Sequence, residues 1–300
     1  MNIPVKTLAS GFSMPVFGIG TYGMGGLSTI DPANDDNADI AAIKAAIQRG
    51  VTHIDTAELY AQGKAEQLLG EAIKGYDRQR LFIVSKVYQD NLAYDNVLKS
   101  CEESLKRLGT DYLDLYLIHK FNPAIPLSDT LKAFDELVRR GLIKHIGVSN
   151  FCADHLKEAQ RYTENKIVFN QVHYNLVFRE PQRKGLLDYC QQNDVILGAW
   201  RPIERGMLTT DLPPIMKEMM QKYQKSAAQI AINWLVSQPN VVTLSKSTNI
   251  SHLEDNLGAL TWEMSETDIR KLTNEFPGQQ DVSNRQPLSD EILKEYNNQQ

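Results

Sequence analysis

The chain has 300 residues, 42% of them hydrophobic, and a formal net charge of −5. That is enough apolar material for the core of one large domain or two ordinary ones, and the acidic balance leaves no footprint for nucleic acid; the densest basic cluster, residues 74–80, holds three positives against one acid. Cys101, Cys152 and Cys190 are odd in number and widely spaced, and the N-terminal MNIPVKTLASGF has no apolar signal core. The cysteine count argues against a disulfide framework or a zinc site, and a cytoplasmic protein with no membrane span and no metal is expected.

Taken in chain order, residues 5–14 (VKTLASGFSM) place a Ser10-Gly11 turn between short apolar runs, which predicts a small hairpin. Eight strand candidates follow, at residues 16–20, 51–55, 81–85, 113–118, 144–149, 167–171, 195–200 and 241–245. As a set they are rich in Val, Ile and Leu, as strands buried on both faces of a parallel sheet are. Helical patterns lie between them. In DIAAIKAAIQRG, Ile40, Ile43 and Ile47 share a face and Gly50 ends it; in AYDNVLKSCEESLKRLG, Val97, Cys101, Leu105 and Leu108 do the same before Gly109. Ser128 and Gly141 bracket a third helix, Ser226 caps AAQIAINWLVSQ, and Ser251-x-x-Glu254 has the spacing of a capping box.

Eight strand–helix units at a spacing of roughly 30 residues, with no linker between them, predict an α/β fold of the (β/α)8 TIM-barrel kind. It is read as a single domain over residues 1–300, its bottom closed by the N-terminal hairpin. A doubly wound open sheet is the rival, because alternation alone does not establish closure. Gly18-x-Gly20-x-x-Gly23 matches a dinucleotide fingerprint, but the fingerprint needs a helix opening at its third glycine. Here the chain continues MGGLSTIDPANDDN, which has no helical period. Glycine at this place lets a loop turn sharply or approach a ligand.

In a barrel the active site lies at the carboxyl ends of the strands. There the sequence puts Asp55 with Tyr60 just after it, Lys86, His119, Ser149-Asn150, Asn170-Gln171, Trp200-Arg201 and Lys246-Ser247. Singly each has an ordinary explanation; jointly they describe a rim. Tyr has an unperturbed pKa near ~10 and donates a proton poorly at neutral pH. A neighbouring ammonium lowers that value, and a carboxylate holds the ammonium in place. Asp55, Lys86 and Tyr60 make such a relay, which predicts a phenol titrating below ~10, with His119 orienting a substrate oxygen.

The segments HIDTAELY, FIVSK, LDLYLIH, IKHIGVSNF and NQVHYN, in this order over nearly the whole chain, resemble the aldo-keto reductase family. The resemblance implies a (β/α)8 barrel that binds NADPH at the strand ends and reduces a small-molecule aldehyde or ketone. Asp55, Tyr60, Lys86 and His119 match the family's catalytic tetrad, with Tyr60 as general acid. The cofactor positions it implies are Gly20, Thr21, Tyr22, Asp55, Ser149, Asn150, Gln171, Trp200, Arg201, Ile203, Lys246, Ser247, His252, Asp255 and Asn256. Among these, Ser149, Asn150 and Gln171 look like carboxamide partners, Asp55 and Thr21 like contacts near the nicotinamide ribose, and Trp200 like the aromatic that stacks on the nicotinamide. Lys246, Ser247, His252, Asp255 and Asn256 match the group around the adenosine and its 2′-phosphate. The chain departs from the pattern at Arg201, where a hydroxyl usually meets the pyrophosphate, and at His252, where an Arg is frequent. The loop KFNPAIPLSD after His119 is expected in the substrate wall.

Two other readings differ in class. A regulatory barrel that binds NADPH and turns over slowly is separated by an aldehyde turnover assay. A metal-dependent hydrolase, suggested by His53-x-Asp55 and His119, is separated by metal content; the sequence lacks a His-x-His pair and a further His at a later strand end. The oligomeric state is not legible.

Overall fold

The computed structural model describes residues 1–210 and 212–288. The last residues of the expected domain, 289–300, lie outside the described residues. A hairpin comes first: β1 (Val5–Thr7) and β2 (Ser13–Pro15) pair antiparallel around the turn at Ser10-Gly11. Eight parallel strands then close on themselves: β3 (Phe17–Gly20), β4 (His53–Asp55), β5 (Phe82–Val87), β6 (Leu113–Ile118), β7 (Ile143–Ser149), β8 (Ile167–His173), β9 (Ile196–Trp200) and β10 (Val241–Ser245). β10 pairs with β3, so the sheet is a barrel and not an open doubly wound layer. The strands sit where the apolar runs predict, with ends moved by one or two residues. Two of the shifts matter: β5 runs on to Val87, which sets Lys86 inside the ladder, and β8 runs on to His173, which the sequence left beyond the strand end.

Helices α1 (Asp36–Gln48), α2 (Lys64–Ile73), α3 (Tyr94–Leu108), α4 (Leu127–Arg139) and α5 (Ala153–Ala159) follow β3 to β7 in turn. Beyond β8 come α6 (Glu180–Arg183) and α7 (Leu186–Gln192). Beyond β9 come α8 (Met207–Thr210), α9 (Pro214–Tyr223) and α10 (Ala227–Val236), and beyond β10 come α11 (Ile250–Gly258) and α12 (Glu266–Glu275). Val97, Cys101, Leu105 and Leu108 of α3 are buried as their spacing requires. On α1 the buried stripe is Ile43 with Ala42, Ala45 and Ala46, while Ile40 and Ile47 are half-buried. Ser226 caps α10 through a reciprocal box with Gln229. Ser128 caps nothing: α4 already begins at Leu127, after Pro126. Ser251 is also not a cap. Asn249 takes that place, its Oδ1 accepting from the Ser251 N–H at 2.9 Å, and Glu254 pairs instead with Arg49 at 2.8 Å. An Asn two residues upstream outcompetes the serine because its side-chain oxygen reaches the free N–H groups first.

Inside the barrel, Phe12, Leu8 and Met14 of the hairpin region pack with Val84, Leu115, Leu117, Phe169, Ile196 and Val242. Burying such a cluster contributes about 1.5–3 kcal/mol per large side chain. The hairpin thus closes the end of the barrel opposite the strand carboxyl termini. The period of two then decides what caps the interior columns. Phe82, Val84 and Lys86 share one face of β5; Leu115, Leu117 and His119 continue one line on β6; His53 lies below Asp55 on β4.

His53 is fully buried, and neither ring nitrogen has a hydrogen-bond partner. Gly18 makes room for it: a Cβ there would sit 2.4 Å from His53 Nδ1. Burial pulls its pKa down to about 4, against the carboxylate of Asp55. The folded chain therefore binds fewer protons than the unfolded one between pH about 6.5 and about 4. Stability is full above pH ~6.5 and is lost as pH falls, by about 1.4 kcal/mol per unit for this one group. Thermal unfolding followed from pH 7 to pH 4 should show a shallower decline in His53→Leu than in the wild type; parallel curves would remove His53 from the account.

Candidate active site

Lys86 is fully buried, and its three ammonium donors are all engaged: Asp55 Oδ1 at 2.5 Å, the Thr56 carbonyl at 2.9 Å and Tyr60 Oη at 3.3 Å. Asp55, 2% exposed, also accepts from Gln171 Nε2 at 2.8 Å. Gly20 pairs in register with Asp55, and Ser149 with Gln171, so the ladder itself levels these residues at one rim. Tyr60 comes from the turn after β4. Its ring meets Tyr22 edge-on at 5.2 Å and His119 at 5.7 Å between centroids.

The backbone around this rim is strained. Of nine non-glycine residues with left-handed φ among the described residues, six (Ala61, Gln62, Asn150, Arg201, Glu204 and Arg205) follow barrel strands here. Such conformations cost roughly 1–3 kcal/mol each and persist where the surroundings dictate them. Ala61, for instance, is tied to the Leu27 carbonyl at 2.7 Å, which fixes Tyr60 beside it.

The electrostatics correct one expectation. Tyr60 titrates above, not below, its ordinary value: burial raises it, and the charge of Lys86 offsets only part, since Asp55 both neutralises that ammonium and adds its own repulsion. For Lys86, burial acts downward, but Asp55 and Tyr60 outweigh it and the net direction is up. Lys86 is thus a fixed cation and Tyr60 a protonated phenol. Burial, with Lys86, pulls His119 down to about 3, so its imidazole is neutral.

Tyr60 and His119 open onto a cavity of about 940 Å³ at the carboxyl ends of the strands. Gly20, Tyr22, Asp55, Ser149, Asn150, Gln171, Trp200, Arg201, Ile203, Lys246, Ser247, His252, Asp255 and Asn256 line it as well. Thr21 does not. It is fully buried, with its hydroxyl on the Asp55 carbonyl at 3.2 Å, so it supports the strand junction. Ser149 Oγ donates to the Gln171 carbonyl, and Asn150 Nδ2 to the His119 carbonyl. Asn150 Oδ1 is left buried without a partner. Lys246 crosses to the Gly23 carbonyl at 3.1 Å, and Ser247 Oγ donates to the Asn249 carbonyl at 2.7 Å. His252 is in the first turn of α11; Asp255 and Asn256 fall in the second, because α11 starts at Ile250. The loop after His119 is not on the cavity wall: Phe121 turns away to stack on His155 at 4.2 Å. Leu27, Ser28, Leu59, Arg285 and Gln286 are among the residues that line it instead.

A family model described as the aldo/keto reductase family matches residues 16–274. The chain belongs to that family. With membership comes the activity class of an aldo-keto reductase, reduction of a carbonyl to an alcohol at the expense of NAD(P)H. The chain is 36% identical over 269 residues to the methylglyoxal reductase YeaE of Escherichia coli, covering 88% of this chain and 92% of that one. It is 36% identical over 267 residues to a glyoxal reductase of Bacillus subtilis, covering 88% and 90%. Among solved structures, the thermostable aldo-keto reductase Tm1743, crystallised with the inhibitor epalrestat, superposes with a TM-score of 0.87 at 44% identity, covering 91% of this chain and 99% of that one. An aldo/keto reductase of Klebsiella pneumoniae, in complex with NADP and acetate, superposes with a TM-score of 0.83 at 32% identity, covering 96% and 100%.

This aldo-keto reductase also holds side chains that the sequence reading passed over. The His173 ring stacks on Trp200 at 4.2 Å and 11°, and on its other side meets Phe178 at 4.1 Å. Ser283 Oγ accepts from the N–H groups of Arg285 and Gln286, so its single proton goes to His173 Nδ1 at 2.7 Å; His173 Nε2 then donates to Glu204 at 2.6 Å. Glu204 in turn faces the guanidinium of Arg201 at 3.4 Å. Arg201 therefore has an internal partner, and its position answers to Glu204 as well as to a ligand. The only signal in the sequence was the His in NQVHYN, read as lying past its strand. As for the hydrolase reading, among the described residues no three His, Cys, Asp or Glu side chains group as metal ligands.

Proposed function

We propose that the chain reduces small aldehydes and ketones, 1,2-dicarbonyl compounds among them, with NADPH, Tyr60 acting as the general acid. The observation that carries this reading is the placing of Tyr60: a protonated phenol on the cavity wall whose oxygen lies 3.3 Å from a cation buried behind it. The names of the methylglyoxal and glyoxal reductases support the dicarbonyl class, and the NADP-bound relative supports the cofactor. The residues fit such a cofactor. Asn150 Oδ1 and the free amide oxygen of Gln171 are acceptors suited to a carboxamide NH2, the indole of Trp200 has one side on His173 and lines the cavity, and Lys246 has ammonium donors left for a phosphate. Bound NADPH supplies a hydride. The chain supplies the rest: His119 orients the carbonyl oxygen as a neutral donor, and Tyr60 Oη passes its proton to that oxygen. Lys86 and Asp55 hold the charge this leaves on the phenol. The three free cysteines fit a cytoplasmic enzyme.

Loss of NADPH absorbance with methylglyoxal, glyoxal and a panel of aromatic aldehydes tests the proposal. Binding of NADPH by fluorescence titration without turnover on any of them would favour the regulatory barrel instead.

His252 makes a further expectation specific. An imidazole lacks the two-pronged grip of a guanidinium on a phosphate, and a hydrogen bond to a charged group contributes roughly 1.5–3 kcal/mol. The preference for NADPH over NADH should therefore rise roughly 10-fold or more in His252→Arg. An unchanged ratio of kcat/KM for the two cofactors would show that residue 252 does not face the 2′-phosphate.

A further inference from the structure

The support behind Trp200 is set by the ladder. His173 ends β8 and pairs in register with Trp200, which ends β9, so the two rings stand on neighbouring strands. Their centroids are 4.2 Å apart and their planes 11° from parallel. Phe178 closes the far side of the imidazole at 4.1 Å, which makes His173, 2% exposed, the middle plate of three. In a close-packed stack of this kind the indole cannot tilt unless the ring beneath it tilts too. On its other flank Trp200 has the guanidinium of Arg201, 5.3 Å from the indole.

The edge of the imidazole is used as fully as its faces. Burial holds its pKa below the ordinary value although Glu204 acts upward, so at pH 7 the ring is neutral and each nitrogen has one role. Nδ1 accepts from Ser283, whose oxygen also takes the N–H groups of Arg285 at 3.1 Å and Gln286 at 3.0 Å, two residues of the cavity wall. Nε2 donates to Glu204, in the turn after β9, which faces Arg201 and takes Asn175 Nδ2 at 2.8 Å. Ser283, His173 and Glu204 have the membership of a hydrolytic triad, but Ser283 is 1% exposed, does not line the cavity and has its oxygen occupied by those two N–H groups. It has no route to a substrate carbonyl.

We propose that His173 is a positioning residue of this site: its face sets the plane of Trp200, and its edge ties the segment bearing Arg285 and Gln286 to the turn bearing Arg201. The inference rests on the carbonyl-reducing reading above and adds a residue to that same site. His173 does not line the cavity, so it acts only through the side chains it holds. An indole that carries a nicotinamide passes its own tilt on to that ring, and a misplacement of about 1 Å at the reacting atoms costs on the order of 100-fold in rate.

Two variants separate the face from the edge. His173→Phe keeps the plate and loses both hydrogen bonds; His173→Gln keeps a donor for Glu204 and loses the plate. Two readouts use the resting enzyme: acrylamide quenching of tryptophan emission, with the same substitutions in Trp200→Phe giving the background of Trp234 and Trp262, and hydrogen exchange at the Arg285 and Gln286 amides. In His173→Gln, quenching of Trp200 should rise, and kcat with saturating NADPH should fall roughly 10–100-fold with little change in the aldehyde's KM. In His173→Phe, quenching and most of kcat should stay at the wild-type level, although this variant has lost more hydrogen bonds. Exchange at residues 285 and 286 should quicken roughly 10-fold in both, the size of one lost hydrogen bond. Wild-type quenching and kcat in His173→Gln, or wild-type exchange in His173→Phe, overturn the proposal. So do equal falls of kcat in the two variants in step with their melting temperatures, which would leave His173 a structural residue only. A wild type that turns over no aldehyde overturns the underlying reading instead, while quenching and exchange still judge His173 by themselves.

Discussion

Tyr60→Phe lowers kcat for carbonyl reduction by roughly 10²–10⁴-fold, the usual worth of a positioned general acid, and leaves NADPH binding near the wild-type level. The substitution removes one oxygen. Lys86 keeps Asp55 and Thr56, and the ring keeps its edge contacts with Tyr22 and His119, so neither fold nor cavity has reason to change. No neighbour can replace the lost proton. His119 titrates near about 3, so at pH 7 only roughly one molecule in ten thousand carries an imidazolium. Lys86, whose pKa lies above its ordinary value, does not give up its proton. Single-turnover rates with the best aldehyde, alongside a fluorescence titration with NADPH, decide the matter; a variant that kept most of the wild-type rate would exclude Tyr60 as the acid. The raised pKa of Tyr60 adds a pH test. Reduction should not fade through loss of the phenolic proton anywhere below pH ~10, whereas alcohol oxidation, which needs phenolate, should rise with pH throughout.

Lys86→Met has two consequences of similar size, and they can be separated. The first is on stability. Asp55 would remain at 2% exposure with only Gln171 as partner, and breaking a buried ion pair from one side costs about 3–5 kcal/mol. The second is on chemistry: without the ammonium, nothing offsets the burial of Tyr60, so its proton becomes still harder to release. The double variant Asp55→Asn/Lys86→Met removes both charges and should recover much of the melting temperature while kcat stays crippled. Recovery of kcat together with stability would reduce Lys86 to a structural role. A primary isotope effect from deuterated NADPH on the residual turnover would confirm that hydride transfer is what has slowed.

The regulatory alternative is not favoured at this site, since Asp55, Lys86, Tyr60 and His119 are all present and each is in contact range of the next. The rim positions to which the proposed mechanism gives roles, Asp55, Tyr60, Lys86 and His119, were legible in the sequence as strand-end residues. The substrate side was not: the loop after His119 was expected to form the wall, whereas Leu27, Leu59 and Arg285 do.

What the sequence by itself determined was the barrel's eight strands, its hairpin plug and the level of Asp55, Lys86 and His119 at the strand ends. A parallel strand buried on both faces must be written in consecutive apolar residues. The period of two then settles that Lys86 shares a face with Val84 and Phe82, and His119 with Leu117 and Leu115. These are local rules, and the residues obeying them are neighbours in the chain. The tertiary structure alone decided closure through β10 and β3, the burial of Thr21, the capping of α11 by Asn249 and the stacking of His173 on Trp200. It also decided the direction of the Tyr60 pKa, because burial and the opposing fields of Lys86 and Asp55 are summed over three dimensions and no spacing encodes their balance. Arg285 shows the limit most plainly: the hydroxyl it meets belongs to Tyr22, 263 residues earlier, whose ring is edged against Tyr60, and only the path of the folded chain brings the two together.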